Sequence, residues 1–455
     1  MNTRQSGGKV MRIFCIVALL LLTLTTTGSA SQSKPPFFLI YFDGHMHTTR
    51  SDGSGSVADI KEMALRRGLN AVIITDHCKD LTREEWASLV AETQALSDAS
   101  FLALPGFEVT GSDGIFNRDH FLAWGVDDPF VGDDTLELCP EEVWESPRNP
   151  AGTGPMYPEH LTKWVDYIHS QQGIAVHNHP SGTTKLEYGM NNLEIYNQGH
   201  VDDVAAYAAA LGYPPQQAWQ LGLTLNNFAI YGERDVNMLV QFPGIPTPMP
   251  LRLALWYATR YYVPPYIGQW LGSPEAPLRS WDDLLMAYVN GETEKPVFAL
   301  AQSDSHNTGD LDCSDANGCS TVGVAKNGVY VKGLSARELF KAIKAGRSFA
   351  TTGPSLTFDV NGEWMGDTAR IANGKARVNL SVNAENPTAV LLKVDILKNG
   401  VVWKSFNPLS GVFSTSLLDG EVNQDGYYRV EVTARDMNSG SYTFAWSNPV
   451  FVDVP

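Results

Sequence analysis

The chain has 455 residues and a formal net charge of −17, from 50 acidic against 33 basic side chains, with a sequence pI near 5.0. No lysine or arginine block stands out. This disfavours nucleic-acid binding through a basic face, which needs clustered cations to neutralise phosphates.

The N-terminus carries Lys9 and Arg12, an apolar run from Ile13 to Leu24, and Thr27-Gly28-Ser29-Ala30 as a small-residue exit. This pattern predicts a secretory signal peptide over residues 1–30. A non-cleaved anchor is the alternative, but the run is short for a span, which needs about 20 residues. Export to a periplasm or the exterior is expected, with no stable membrane span once the signal is removed.

Short apolar runs follow at Phe37–Tyr41, Ala71–Ile74, Phe101–Leu104, Gly173–Val176 and Val297–Leu300, the signature of buried parallel strands. Ser56 to Arg67 reads as a helix, with Ser56 and Asp59 as a capping-box start and Gly68 as a stop. Strand, polar rim residue, helix, strand is the repeat of an α/β barrel, whose chemistry gathers at the C-terminal ends of its strands. Just past most of these runs lie residues that bind hard or borderline metals: Asp43-Gly44-His45-Met46-His47, Thr75-Asp76-His77, Gly106-Phe107-Glu108, His177-Asn178-His179-Pro180 and Ser303-Asp304-Ser305-His306, joined by the lone His120. They hold seven of the ten histidines.

Each piece has a plainer reading. Taken alone, His120 reads as a hydrogen-bonded residue beside a strand. The pairs His45/His47 and Asp304/His306 differ, because residues i and i+2 of a strand point to one side and two donors there can share an ion. Asp52, in Ser51-Asp52-Gly53, is either a ligand or simply part of a turn. Asp43 and Asp76 read as carboxylates that orient imidazoles.

Residues 197–296 depart from the barrel texture, with apolar helical runs around Val201–Leu211 and Trp281–Val289 and an aromatic, proline-rich stretch at Trp256–Tyr266. This is an insertion that either covers the metal rim or extends the core. After Pro354 the pattern changes to alternating segments at Ser355–Val360, Ala376–Val382, Ala389–Lys398, Gly426–Arg435 and Tyr442–Val452, with Asn361-Gly362 and Asn399-Gly400 as hairpin signals. Residues 355–455 are therefore expected to form an immunoglobulin-like β-sandwich, with Trp364, Trp403 and Trp446 in its core. Of the cysteines beyond the signal, Cys313 and Cys319 could close a short loop in an oxidising compartment. Cys78 is either a buried apolar residue or, less in keeping with its surroundings, a ligand.

The ordered series HxH, TDH, GxE, His, HP, SDxH resembles the PHP (polymerase and histidinol phosphatase) superfamily of metal-dependent hydrolases over roughly Phe37 to Pro354. Gly346-Arg347-Ser348-Phe349-Ala350-Thr351-Thr352-Gly353-Pro354 is similar to a segment of its secreted CehA/McbA-like branch, which also tends to carry a small β domain behind the barrel. The resemblance implies an α/β fold with a distorted (β/α)7 barrel over residues 31–354 and two or three clustered divalent ions. Carried across, His45, His47 and Asp304 hold one metal, with Glu108 bridging to a second completed by His120 and His179. Asp52, His77 and His306 hold a third. His177 is the other candidate beside Pro180, and Glu194, in Leu193-Glu194-Ile195-Tyr196-Asn197, is similar to a family strand end and reads as lining the pocket or supporting a ligand.

Mixed imidazole and carboxylate donors suit zinc, manganese or iron without choosing among them. Such a set fits metal-assisted hydrolysis, with Glu108, Asp304 and His306 expected in the catalytic machinery and Arg118 and Arg347 as candidate cations for a phosphate. The chain has no G-x-S-x-G elbow after an expected strand, no G-x-x-x-x-G-K-[ST] phosphate loop and no dinucleotide fingerprint. The expected function is hydrolysis of a phosphoester in a small organic phosphate. Hydrolysis of a carboxylic ester, carbamate or amide is the alternative, and non-catalytic ligand binding the third. Oligomeric state is not legible.

Overall fold

A computed structural model describes residues 37–109, 120–129, 158–178, 189–190, 192–199, 281–307 and 322–455, together with a few positions between 201 and 250. In chain order the elements are β1 (Phe38–Asp43), α1 (Val57–Arg66), β2 (Ala71–Ile74), α2 (Arg83–Leu96), β3 (Leu102–Val109), β4 (Phe121–Trp124), α3 (Pro158–Ser170), β5 (Ile174–His177) and β6 (Asn192–Asn197). A two-residue pair, β7 (Leu239–Val240) and β8 (Met249–Pro250), precedes α4 (Trp281–Val289) and β9 (Phe298–Gln302). Then come β10 (Lys326–Val331), α5 (Ala336–Lys344) and β11 (Ser348–Thr351). The C-terminal strands are β12 (Ser355–Val360), β13 (Glu363–Trp364), β14 (Thr368–Arg370), β15 (Ala376–Asn383), β16 (Ala389–Lys398), β17 (Val401–Phe406), β18 (Val412–Asp419), β19 (Gly426–Asp436), β20 (Tyr442–Ser447) and β21 (Val450–Asp453). Among the described residues, no helix is long and apolar enough to cross a membrane.

The chain is mixed α/β around one large sheet, whose path runs β11-β10-β1-β2-β3-β4-β5-β6-β9. Strands β1, β2 and β3 are parallel, as are β5, β6 and β9, while β4 runs antiparallel to both neighbours. The two-residue alternation of a strand divides the side chains cleanly. Ile40 and Phe42 of β1, Ala71 and Ile73 of β2, Leu122 and Trp124 of β4, and Ile174 and Val176 of β5 form one apolar cluster with Leu300. Their neighbours Val72, Ile74, Phe121, Ala123 and Ala175 face the opposite way, into a cluster with Val57, Ile60 and Met63 of α1 and Trp86 and Leu89 of α2. Leu339, Ala342 and Ile343 of α5 join the first cluster. Because β10 pairs antiparallel with β1 and ends opposite Phe38, α5 packs at the end away from Asp43.

Side chains finish what backbone pairing leaves open at β9. Asn448 Oδ1 accepts from Ala299 N (2.7 Å) and Asn327 Oδ1 from Ala301 N (2.9 Å), while Asn327 Nδ2 donates to Ala301 O (2.7 Å). Just past β9, Ser305 bridges to Met46, just past β1, with His47 N donating to Ser305 O at 2.9 Å. β1 and β9, six strands apart along the β1-β2-β3-β4-β5-β6-β9 path, thus meet at the rim that carries the histidine motifs.

Strands on either side of the expected 354/355 division share the large sheet, since β20 pairs with β11. A second sheet, β13-β12-β15-β18, lies across from β16 and β19, and Val378, Leu380 and Val382 of β15 pack with Val394, Ile396, Val430 and Val432. Asn361-Gly362 and Asn399-Gly400 make the two tight hairpins, with φ of +53°, +89°, +52° and +76°, the positive values that a type I′ turn requires. Trp446 is buried, and Trp364 and Trp403 pack against the core at its edge. Tyr442–Val452, expected as one segment, is broken into β20 and β21 at Asn448-Pro449, where proline has no N–H for a ladder.

Within the insertion, α4 packs beside the C-terminal strands: Trp281, Leu284 and Leu285 join Tyr427, Trp446 and Phe451. Trp256–Tyr266 lies outside the described residues. A buried ion pair locks this contact. Arg429 of β19, fully buried, makes a two-pronged bond to Asp282 (Nε to Oδ1 and a terminal nitrogen to Oδ2, both 2.7 Å) and stacks over Trp281, 4.9 Å from its ring centre. Tyr427 Oη donates to the same carboxylate at 2.7 Å. Removing one member strands a buried charge, so Arg429→Met is expected to cost about 3–5 kcal/mol in urea unfolding. A loss below about 1 kcal/mol would show the pair to be dispensable.

Candidate metal centre

The parallel strands end at one rim and deliver their motifs to it. β1 leads to His45 and His47, β2 to His77, and β9 to Asp304 and His306, while Glu108 sits near the end of β3. His120 precedes its strand instead of following it. Because β4 is antiparallel, its beginning lies beside the end of β3, with Phe121 opposite Val109, and His120 reaches the same rim.

Glu108 is the centre of the arrangement. It is 1 % exposed; its Oε2 lies 2.9 Å from His77 Nδ1, 3.5 Å from His47 Nε2 and 3.6 Å from His45 Nε2. Its Oε1 lies 2.8 Å from His120 Nδ1 and accepts from Asn178 Nδ2 at 2.5 Å. Asp304 Oδ1 lies 3.1 Å from His45 Nε2 and 3.3 Å from His47 Nε2. Asp52 faces His77 Nε2 at 3.3 Å and His306 Nε2 at 3.4 Å.

Two donor sets can hold an ion, each with donor atoms within 4.8 Å of one another: His45, His47 and Asp304, and His47, Asp52, His77 and His306. The first is buried. The second opens outward, with the side chains of Asp52 54 % and His306 36 % exposed. Imidazole and carboxylate donors in these numbers fit zinc, manganese or iron.

The electrostatics follow from burying many carboxylates together. Burial opposes the charge on Glu108, but the imidazoles of His77, His120 and His45 outweigh it and hold the carboxyl well below its usual range. Burial also opposes protonation of His45, yet Asp304, Glu194 and Glu108 hold its pKa well above the ordinary value. At His47 burial wins, and its pKa falls to about 3. Against burial, Glu108 and Asp52 raise His77 to about 10, and Asp52 and Asp304 raise His306 to about 9. Protons on His45, His77 and His306 balance the carboxylates in the ion-free chain, and metal binding would displace them.

Some expectations change. Asp43 accepts from the backbone N–H groups of Gly323 (2.9 Å), Ser303 (3.2 Å) and His45 (3.4 Å), so it joins the β1 and β9 ends instead of orienting a ring. Its burial pushes its pKa up to about 6. Asp76 likewise holds the turn after His47, accepting from Thr48 N (2.6 Å), Thr48 Oγ1 (2.7 Å) and Ser51 Oγ (2.8 Å). Glu194 does meet an imidazole, with Oε1 3.1 Å from His45 Nδ1. Cys78 is buried and disulfide-bonded, which removes it as a ligand; its partner lies outside the described residues, as do Cys313 and Cys319.

Arg347 is not at the rim. Its guanidinium stacks on Phe37, 4.6 Å from the ring centre, and faces Asp367 at 3.6 Å. Phe37 precedes the start of β1, six residues long and so roughly 20 Å from the motif end at 3.3 Å per residue. Arg118 and His179 lie outside the described residues. His177 is the buried last residue of β5. No role was expected of Asn178 or Asn197, although both lie inside motifs singled out in the sequence. Asn178 sits between two flagged histidines, which was a usable signal.

No family model matches the chain, and no curated protein matches it. Among solved structures it is similar to a two-domain protein from Bacteroides vulgatus containing a predicted PHP-like metal-dependent phosphoesterase, at 12 % identity and a TM-score of 0.37 over 88 % of this chain and 91 % of that one. It is also similar to an amidohydrolase from Chromobacterium violaceum solved with sulfate and no metal, at 19 % identity and a TM-score of 0.23 over 38 % and 84 %. The family reading rests on the ordered motifs and the side chains they bring together, not on these likenesses.

The unequal exposure of the two donor sets makes Asp52→Ala expected to weaken the outer set at least about tenfold while the inner set keeps its ion, as read by elemental analysis after graded dialysis. Equal loss from both sets would contradict that division. The raised His77 and His306 give a second expectation for chelator-treated protein. Their contribution to stability is complete below the unfolded histidine value, about 6.5, and is lost as pH rises through about 9 to 10. The thermal midpoint of the ion-free chain should therefore fall across that window, more than in His77→Gln.

Proposed function

We propose that this chain is an exported, metal-dependent hydrolase of PHP type, with a distorted (β/α)7 barrel followed by an immunoglobulin-like sandwich, acting on a phosphoester of a small organic phosphate. The observation that carries the reading is the convergence of motifs up to 261 positions apart, His45 to His306, onto two buried carboxylates: four imidazoles (His45, His47, His77 and His120) surround Glu108, and His306 faces Asp304. A cluster so rich in buried charge is costly unless ions or protons balance it, and structural needs alone do not assemble it.

Two or three bound divalent ions (zinc, manganese or iron) would supply water activation and neutralisation of developing negative charge. The chain's own residues do the rest. Glu108 gathers His45, His47, His77 and His120 around a common carboxylate. Asp304 faces His45 and His47 on the buried side, and Asp52 holds His77 and His306 where the site meets solvent, the side from which a small substrate arrives. Arg118 remains the candidate cation for a phosphate. Carboxylic ester, carbamate or amide hydrolysis is the second reading, favoured by the removal of Arg347 from the rim.

The deciding measurement is elemental analysis of the purified protein, paired with turnover of an aryl phosphate and an aryl acetate. Bound ions with aryl phosphate turnover that Asp304→Ala abolishes are expected. Turnover of the acetate alone would shift the reading to carbonyl chemistry. A chain that stays ion-free and inactive after addition of manganese, zinc or iron would replace the hydrolase with a binding protein.

A further inference from the structure

The end of β6 contains a device that neither the ligand motifs nor the proposed reaction requires. Its pairing with β9 slips by one residue: Glu194 lies opposite Leu300, and Tyr196, not Ile195, opposite Ala301. One extra residue in a strand is a bulge, which re-aims the side chains beyond it. In a regular strand residues i and i+3 point to opposite faces. Here Leu193, Ile195 and Tyr196 all pack outward into one apolar cluster, so Glu194 and Asn197 share the inner side, where Asn197 Nδ2 donates to Glu194 Oε2 at 2.9 Å.

The same amide nitrogen lies 3.2 Å from Asp304 Oδ2. The remaining oxygens of both carboxylates meet one ring: Glu194 Oε1 at His45 Nδ1 (3.1 Å) and Asp304 Oδ1 at His45 Nε2 (3.1 Å). Four side chains thus close a cycle, His45, Glu194, Asn197 and Asp304, each at most 6 % exposed. Asp304 also holds a backbone conformation that side-chain-bearing residues avoid, φ +52°, and such strain persists only where the surroundings enforce it. Gly199 lies against it. A Cβ at 199 would fall 3.1 Å from both Asp304 Cβ and Asp304 O, and Gly199 N donates to Ser303 O at 3.0 Å.

We infer that Asn197, brought to the inner face by the β6 bulge, is a positioning residue for the buried donor set. Its amide supplies one hydrogen to each of two carboxylates. Glu194 is thereby held on His45 Nδ1, which leaves Nε2 facing the donor set, and Asp304 is held in its strained conformation with Oδ1 toward His45 and His47. The inference rests on the metal-centre reading for its effect on ion binding, but the cycle itself does not.

The test uses the full-length mature protein and manganese or zinc alone as the probe. Asn197→Asp keeps the shape, removes both donors and adds a charge; Asn197→Ala removes the amide. Both are expected to lower affinity for the buried set about 10- to 100-fold, the range for partners behind metal ligands, while the outer set keeps its affinity. Where substrate turnover is measurable, kcat should fall with KM little changed. Wild-type affinity in both variants overturns the inference.

Failure of the wild-type chain to bind any ion would sink the functional reading instead. The cycle is then tested in the metal-free protein by combining Asn197→Ala with Glu194→Gln. Shifts in thermal midpoint that are clearly non-additive support the cycle. Additive shifts overturn it.

Discussion

The burial of Glu108 constrains everything around it. A carboxylate that is 1 % exposed carries a desolvation cost that only close positive partners offset. Those partners arrive from three separate places in the chain, the segment after β1, the segment after β2 and the start of β4, and the neutral amide of Asn178 after β5 adds a hydrogen bond. No local stretch could supply them. The strands must therefore end together, and the antiparallel β4 is the adjustment that lets a residue preceding a strand join residues that follow strands.

Holding such a rim requires rigidity beneath and beside it. Apolar side chains of alternating strand positions fill the interior, with α5 packed at the end away from the histidines. The edge of β9 is finished by the amides of Asn327 and Asn448. One of these comes from the segment joining β20 to β21, so the C-terminal strands complete the part that carries the site. Their second attachment is the buried Arg429 and Asp282 pair, which brings charge into an apolar contact at a cost that the two-pronged geometry and the Tyr427 hydroxyl offset. The C-terminal region is thus built into the sheet that positions the metal centre, through β11 and β20.

The sequence was most legible where local physics decides the outcome. The capping box at Ser56 and Asp59 opens α1 as expected, with Asp59 N donating to Ser56 Oγ at 3.2 Å and Ser56 N to Asp59 Oδ2 at 2.8 Å. The strand Ala71–Ile74 and the two Asn-Gly turns are likewise set by short-range preference. β4, β10, β11, β17 and β18 were not anticipated. Several are brief or half-exposed, and their strand conformation depends on neighbours distant in the chain, as β10 on β1 and β18 on β15. Arg347 was misplaced because a motif states which residues are present, not which end of a strand they occupy.

By itself the sequence determined the donor chemistry: which imidazoles and carboxylates are present, that they follow apolar runs, and that two pairs share the i, i+2 spacing that aims them together. Tertiary structure alone decided which donors meet, that Asp43 and Asp76 serve backbone and hydroxyl groups, that Cys78 is tied up in a disulfide, and that Asn197 faces inward. The reason is physical. Residue type and strand alternation are local quantities, whereas strand direction, register and a one-residue bulge are set by pairing between distant segments, and each can reverse the side to which a side chain points.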